Sequence, residues 1–241
     1  MGVSIVSAKG CGLGMNKRKI KNNSIFLGIV IGVFLLVFLT ALALGALLSS
    51  DLLYRLEVNA LHIESESGLS KEIILRNYNA VIDFLNPFNN YSFNMPDLPA
   101  SAGGVNHFND VKIIVNAVYI AGAISIVVVL LLSLIFKKRM GSKTLGTVAI
   151  TVFLVPLIMV GAIAIDFNKF FVIFHELFFT NDDWIFSPYT DPVITILPSE
   201  YFMHCAIVIV IFWLLGSVFF LMLSVRKKKK GKNVPAFIPR Y

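Results

Sequence analysis

Charge is what this sequence has least of. Only 15% of its 241 residues are Asp, Glu, Lys or Arg and 57% are hydrophobic, whereas a soluble domain carries about a quarter of its residues charged. That balance, with a mean hydropathy of +0.80, excludes a soluble enzyme. Cysteine is nearly missing as well: Cys11 and Cys205 are the two present, too few for a disulfide framework. Neither a GxSxG elbow nor an HExxH pair occurs, so serine-hydrolase and zincin chemistry lack their usual signatures. Cys205 stands in an apolar run with no activating neighbour in sequence, which disfavours covalent catalysis by a thiolate.

The apolar residues fall in blocks. Residues 25–48, 113–136, 144–165 and 201–225 contain no Asp, Glu, Lys or Arg at all. Roughly 20 residues at about 1.5 Å rise cross the hydrocarbon layer of a bilayer, so each block is long enough. The expectation is an all-α integral membrane protein with four transmembrane helices: a cytoplasmic segment 1–24, a membrane domain 25–225, a basic tail 226–241, and two outer loops, 51–112 and 166–200, bearing interfacial helices. Buried charges that would mark an ion pathway are missing from all four blocks, which argues against translocation.

The net charge of +7 is unevenly spread. The segments 1–24, 137–143 and 226–241 hold 16 of the 21 basic residues and no acid; the two long loops hold all 14 acids. Short Lys/Arg-rich segments stay in the cytoplasm, so both termini are expected inside, both long loops outside, and Cys11 and Cys205 on opposite faces with no disulfide between them. The run Arg226–Lys232 reads as an anchor against anionic membrane lipid, and a nucleic-acid partner is rejected. Span one is too long for a signal-peptide core and is read as retained. Met15 followed by NKRKIKNN is a typical basic lead into a span, so residues 1–14 read as an extension ahead of it.

Four spans need only short connections, and loops of 62 and 35 residues imply function or a folded cap. In the first loop, Ser70 is placed to cap a helix over 71–85 that Asn86-Pro87 ends. Ile74, Tyr78, Val81 and Leu85 share its apolar face, while Arg76, Asn79 and Asp83 lie opposite. Such a helix either lies on the outer leaflet or packs on the bundle. The following NPFNNYSFNMPDLPASAGG reads as irregular. In the second loop Phe167, Phe170, Phe171, Phe174 and Phe178 form an aromatic stripe at helical spacing, expected as an interfacial helix extending span three, with Trp184 as an interface anchor.

All four histidines are expected on the outer side. His62, followed by ESES, reads as solvated, and His204 as an interfacial residue opening span four. His107 and His175 each stand where a loop meets a span, with Asp110 and Glu176 close by in sequence. A carboxylate that fixes a histidine tautomer and raises its basicity is the arrangement a general base uses. The four side chains could also offer nitrogen and oxygen to a metal. Their spacing is not that of a metal motif, and adjacent His175 and Glu176 point about 100° apart on a helix, so no metal is assigned.

The string FHELFFTNDDWIFSPYTDPVITILPSEYF, with HFNDVK before span two and LRNYNAVIDFLN in the first loop, resembles the lipoprotein intramolecular transacylase (Lit) family of low-GC Gram-positive bacteria, over roughly residues 25–225. The resemblance implies an acyltransferase that needs no cofactor. Its substrates would be diacylated bacterial lipoproteins in the outer leaflet. It would move the sn-2 acyl chain of the glyceryl group onto the α-amino group of the lipidated N-terminal cysteine, giving the lyso-form. It implies catalytic roles for His107 and His175. On that reading His175 is the base, His107 supports it, Asp110 orients a histidine, and Tyr78, Glu176, Asn181 and Trp184 assist or bind substrate. His204, in SEYFMHC, departs from the pattern, where an acidic or neutral residue is expected. Two rival readings remain, a non-catalytic accessory or transport protein and a membrane lipid esterase, and the oligomeric state is left open.

Overall fold

The structure, a computed structural model, describes residues 9–232, with the side chains of 9–22, 162 and 230–232 outside the description. The expectations for Cys11, for residues 1–14 as an extension and for the ends of the basic tail therefore fall outside the described residues. Among those described there are helices and turns but no strand. In chain order the elements are α1 (Lys9–Leu48), α2 (Leu52–Ala60), α3 (Ile63–Ser67), α4 (Lys71–Leu85), α5 (Ala102–Ile135), a 3₁₀ turn at Lys137–Arg139, α6 (Ser142–Ile165), α7 (Phe167–Phe178), α8 (Val193–Ile196) and α9 (Ser199–Lys232). Four stretches, Asn23–Leu48, Ala102–Ile135, Ser142–Ile165 and Ser199–Lys229, are long and apolar enough to cross a membrane.

These four form the bundle, with α1 touching α5, α6 and α9 and with α6 lying along α9. Its interior is filled by Leu27, Ile31, Leu35 and Leu39 of α1 with Val129, Val148, Val152, Val210 and Trp213. In lipid the hydrophobic effect does not drive one helix onto another, so close packing of small residues has to. Gly28 and Gly32, four residues apart on α1, supply it: a Cβ on either would lie 2.6 and 2.7 Å from the Cβ of Thr147 and Thr151 on α6. Two polar contacts add to the bundle, Trp213 Nε1 donating to Thr40 Oγ1 at 3.1 Å and Ser217 Oγ to the Ala149 carbonyl at 2.9 Å. The outward faces stay apolar and exposed, as at Ile113, Ile120, Ile150, Ile158 and Leu215.

The two long loops build a cap with a core of its own. Tyr54, Val58, Ile63, Ile74, Tyr78, Val81 and Phe84 pack there with Met95, Leu98, Phe108, Val193, Ile196 and Tyr201. The helix α4 has the bounds its capping residues imply: the Ser70 side chain accepts from the Ile73 amide and Asn86 closes the last turn. Its apolar face is buried in this core. Asn77, fully buried, joins α4 to the irregular segment after it: its amide nitrogen donates to Asp97 Oδ2 at 2.8 Å and its oxygen accepts from the Asp97 amide at 3.1 Å.

Two elements differ from expectation in ways that matter for the site. The helix α5 begins at Ala102, eleven residues ahead of the apolar block, because Ser101 caps it by accepting from the Gly104 amide at 3.0 Å. At about 1.5 Å per residue its 34 residues exceed the ~30 Å hydrocarbon thickness by several turns, and Asn106, His107, Asn109 and Asp110 lie on that excess. The helix α7 does not continue α6. The chain turns extended at Asp166, whose carboxylate accepts from the Lys169 amide at 3.0 Å and starts a new helix.

Candidate active site

The cap end of the bundle brings two imidazoles together. His107, in the second turn of α5, and His175, in the last turn of α7, are 7% and 8% exposed, and their ring centroids are 5.8 Å apart. Phe179 lies against both, at 4.8 and 5.5 Å. Phe171 and Trp184 approach His175 at 4.2 and 4.9 Å, and Phe186 approaches His107 at 5.4 Å. The pair is thus enclosed by aromatic rings that hold water off.

The state of His175 follows from one contact. Its Nδ1 is 2.7 Å from the Phe171 carbonyl oxygen. A carbonyl can only accept, so Nδ1 carries the hydrogen and the lone pair is on Nε2. Burial disfavours the charged ring and pushes the His175 pKa below its ordinary value, with the Phe171 carbonyl pulling the other way. His175 is therefore a neutral base with one nitrogen free to take a proton. His107 is complementary: its Nδ1 is buried without a hydrogen-bond partner among the described residues, and such an atom is costly to leave unmade.

The orienting group is a surprise. A neighbouring carboxylate was the expectation for both histidines, but the tautomer of His175 is set by the helix backbone, and Glu176 is exposed on another side of α7, as adjacent helical residues must be. Asp110 makes its hydrogen bond to Asn181, whose Nδ2 donates to Asp110 Oδ2 at 3.0 Å, and not to an imidazole. Trp184 is a wall of the site. Tyr78 is apart from it: its ring stacks on Tyr54 at 3.7 Å and its hydroxyl lies 2.8 Å from that of Tyr201, inside the cap core. His62 is exposed. His204 approaches Glu57 at 2.9 Å, an ion-pair contact without hydrogen-bond alignment. Among the described residues, no three His, Cys, Asp or Glu side chains are grouped to hold a metal.

Some of the machinery escaped sequence reasoning. Asp191 is buried. Its Oδ1 accepts from the Ser101 amide at 2.8 Å and its Oδ2 from Thr190 Oγ1 at 2.7 Å. It ties the 180–191 loop to the start of α5 and so holds Phe186 against His107 and Trp184 against His175. Gly104 permits this approach, since a Cβ there would overlap the Asp191 carboxylate. Next to Phe179, a cleft of about 230 Å³ is lined by Asp110, Ile113, Ile114, Phe178, Phe179, Thr180 and Asn181.

A family sequence model described as lipoprotein intramolecular transacylase Lit matches residues 28–202. The chain belongs to the lipoprotein intramolecular transacylase family. The in meso structure of the membrane-integral Lit from Bacillus cereus matches this one with a TM-score of 0.81 at 33% identity, covering 88% of this chain and 98% of that one. Two structures of the same Bacillus protein carry a single histidine replaced by arginine or by alanine. Each matches with a TM-score of 0.77 at 32% identity, covering 90% of this chain and 97% or 99% of that one. No curated protein matches the chain. The resemblance in the sequence and the all-helical membrane architecture thus point to the same family.

Proposed function

We propose that this Lit-family enzyme moves the sn-2 acyl chain of a diacylglyceryl lipoprotein onto the α-amino group of the same molecule's N-terminal cysteine, with His175 as general base and His107 as its partner. The observation that carries the reading is the meeting of two buried imidazoles from α5 and α7 inside an aromatic enclosure.

Ester and amine belong to one substrate, so the enzyme has chiefly to hold them within attack distance, and proximity alone supplies on the order of 7–11 kcal/mol. The α-amine, with an ordinary pKa near 8, must lose a proton to become a nucleophile. That proton goes to solvent; the neutral nitrogen then attacks the sn-2 carbonyl carbon, and Nε2 of His175 takes the second proton, which the nitrogen sheds as it bonds to carbon. The new C–N bond forms, the C–O bond to glycerol breaks, and the imidazolium returns the proton to the departing glycerol oxygen. Counted from the neutral amine, substrate and product are isomers, and the one proton released is the one the ammonium gave up before attack. His107 donates to the tetrahedral oxyanion or passes the proton on. The aromatic walls favour amine over water as acceptor, which separates this reading from an esterase.

The distribution of basic residues supports a topology with the termini and the 137–143 turn in the cytoplasm and the cap with its site at the outer leaflet. A crossover experiment tests the reaction. Purified enzyme in lipid nanodiscs receives two diacylated lipopeptides, one of which carries isotope label in both its acyl chains and its peptide. Fragmentation of the products should show N-acyl peptides in which chain and peptide keep their common label. Mixed products would remove the intramolecular reading, and free fatty acid would make the protein an esterase.

A further inference from the structure

The cleft next to Phe179 has a character that two histidines do not account for. One side is polar, Asp110 from α5 and Asn181 from the loop after α7. The other is apolar, Ile113, Ile114, Phe178 and Phe179. The Asn181 amide fills one acceptor position of the Asp110 carboxylate, which has about four. The ion pairs among the described residues are Arg55–Asp51, Arg76–Asp97 and His204–Glu57, and Asp110 belongs to none of them. Asp110 is half-buried, borders apolar walls and has no ion-pair partner among the described residues. Asp183 adds a second negative charge nearby, since it and Asp110 both act electrostatically on His107. The site is built for a positive charge.

Its surroundings say what carries that charge. Below Asp110 on α5, Ile113, Ile120, Ile124, Val127 and Leu131 form a stripe on one side of the helix and are all more than half exposed. At 3-, 4- and 7-residue spacings such a stripe runs straight down a helix, here into the hydrocarbon. Phe179, which lines the cleft, touches both imidazoles. A molecule seated here has its cation at Asp110, its alkyl chains along α5 and its reacting atoms next to the histidine pair.

We propose that Asp110, held by Asn181, binds the α-ammonium group of the lipidated N-terminal residue, so that the cleft selects a primary ammonium flanked by lipid chains and rejects an amine that is already acylated. The identity of the ligand rests on the acyl-transfer reading above. N-acylation removes the positive charge, so the product loses this contact and is released. A carboxylate favours the charged amine; one ammonium proton leaves to solvent before attack, and the neutral imidazole takes the second as the C–N bond forms.

The test uses the intact enzyme in phosphatidylcholine nanodiscs and a lipopeptide whose two chains are ether-linked. This probe has no ester to transfer, so binding is read without turnover. One form has a free α-amine and the other is N-acetylated. The free-amine form should bind about tenfold more tightly or better at pH 7, as a charge-assisted hydrogen bond implies, and the gap should close as pH rises past the amine's pKa near 8. Asp110→Asn should weaken the free-amine form alone and abolish the difference. Equal binding of the two forms by the unmodified enzyme, which needs no variant to fold, overturns the proposal, as does a preference that survives Asp110→Asn. Failure of the acyl-transfer reading would show instead in the crossover experiment with diester substrate.

Discussion

The most informative single atom pair is His175 Nδ1 and the Phe171 carbonyl oxygen, 2.7 Å apart. It leaves the lone pair on Nε2, the atom that acts as base in the proposed mechanism, and burial pushes the ring's pKa below its ordinary value of 6.5. The acid limb of the pH–rate profile should therefore lie below pH ~6.5, measured as initial rates in nanodiscs; a limb above that value would assign the base elsewhere. Stability follows the same sign. Between ~6.5 and the lowered native value the unfolded chain binds a proton that the folded one does not, so stability falls as pH drops through that window and His175→Gln flattens the fall. Tyr78 makes the opposite prediction. Its hydroxyl is bonded to Tyr201 in the cap core, so Tyr78→Phe should cost about 1–3 kcal/mol of stability by stranding a buried hydroxyl while leaving kcat within a fewfold of wild type. A large loss of kcat with unchanged melting would restore Tyr78 to the reaction. Both histidines were legible in the sequence as residue types at the outer ends of apolar blocks. The partner of His175 was not, because a helix carbonyl leaves no mark in a sequence.

At the scale of elements, capping chemistry carried far. Ser70 and Asn86 bound α4 in sequence and in structure alike, since a side-chain cap is a local event. The early start of α5 was hidden because its first turns are polar and glycine-containing, and long-range contacts hold them: Asp191, some 90 residues on, grips the Ser101 amide. Asp191→Ala should lower kcat/KM at least tenfold by releasing the loop that carries Trp184 and Phe186, although Asp191 itself is not placed against the imidazoles. Unchanged kinetics would mean that the loop does not organise the site. The Gly28–Gly32 pair also went unread, because two glycines in an apolar block look like ordinary span composition until the facing helix is known. Gly32→Leu places a side chain where Thr151 already stands and should cost about 1–3 kcal/mol by overpacking, measured as thermal unfolding in detergent. An unshifted melting temperature would show that α1 and α6 are free to move apart.

For the whole molecule, composition alone exposed the four-helix membrane architecture, because a bilayer demands long uncharged runs whatever the fold's details. The cap was visible only as loops too long to be connectors. Its core joins residues from Tyr54 to Tyr201, and no local pattern reveals such a joining. Topology should follow the charges: a cysteine at exposed Ser65 in the cap is expected to react with a membrane-impermeant thiol reagent in whole cells, and one at Gly141 only after lysis. The reverse pattern would put the site on the cytoplasmic side. The account's central claim is that His107 and His175 work as one unit, and single-turnover N-acylation by His107→Ala, His175→Ala and the double variant tests it most directly. Each single change should slow transfer by about 10²–10⁴, and the double variant should be about as slow as the slower single one, as for residues that act together. Slowing in the double variant equal to the product of the two single effects, or near-normal rates in either single one, would contradict the account.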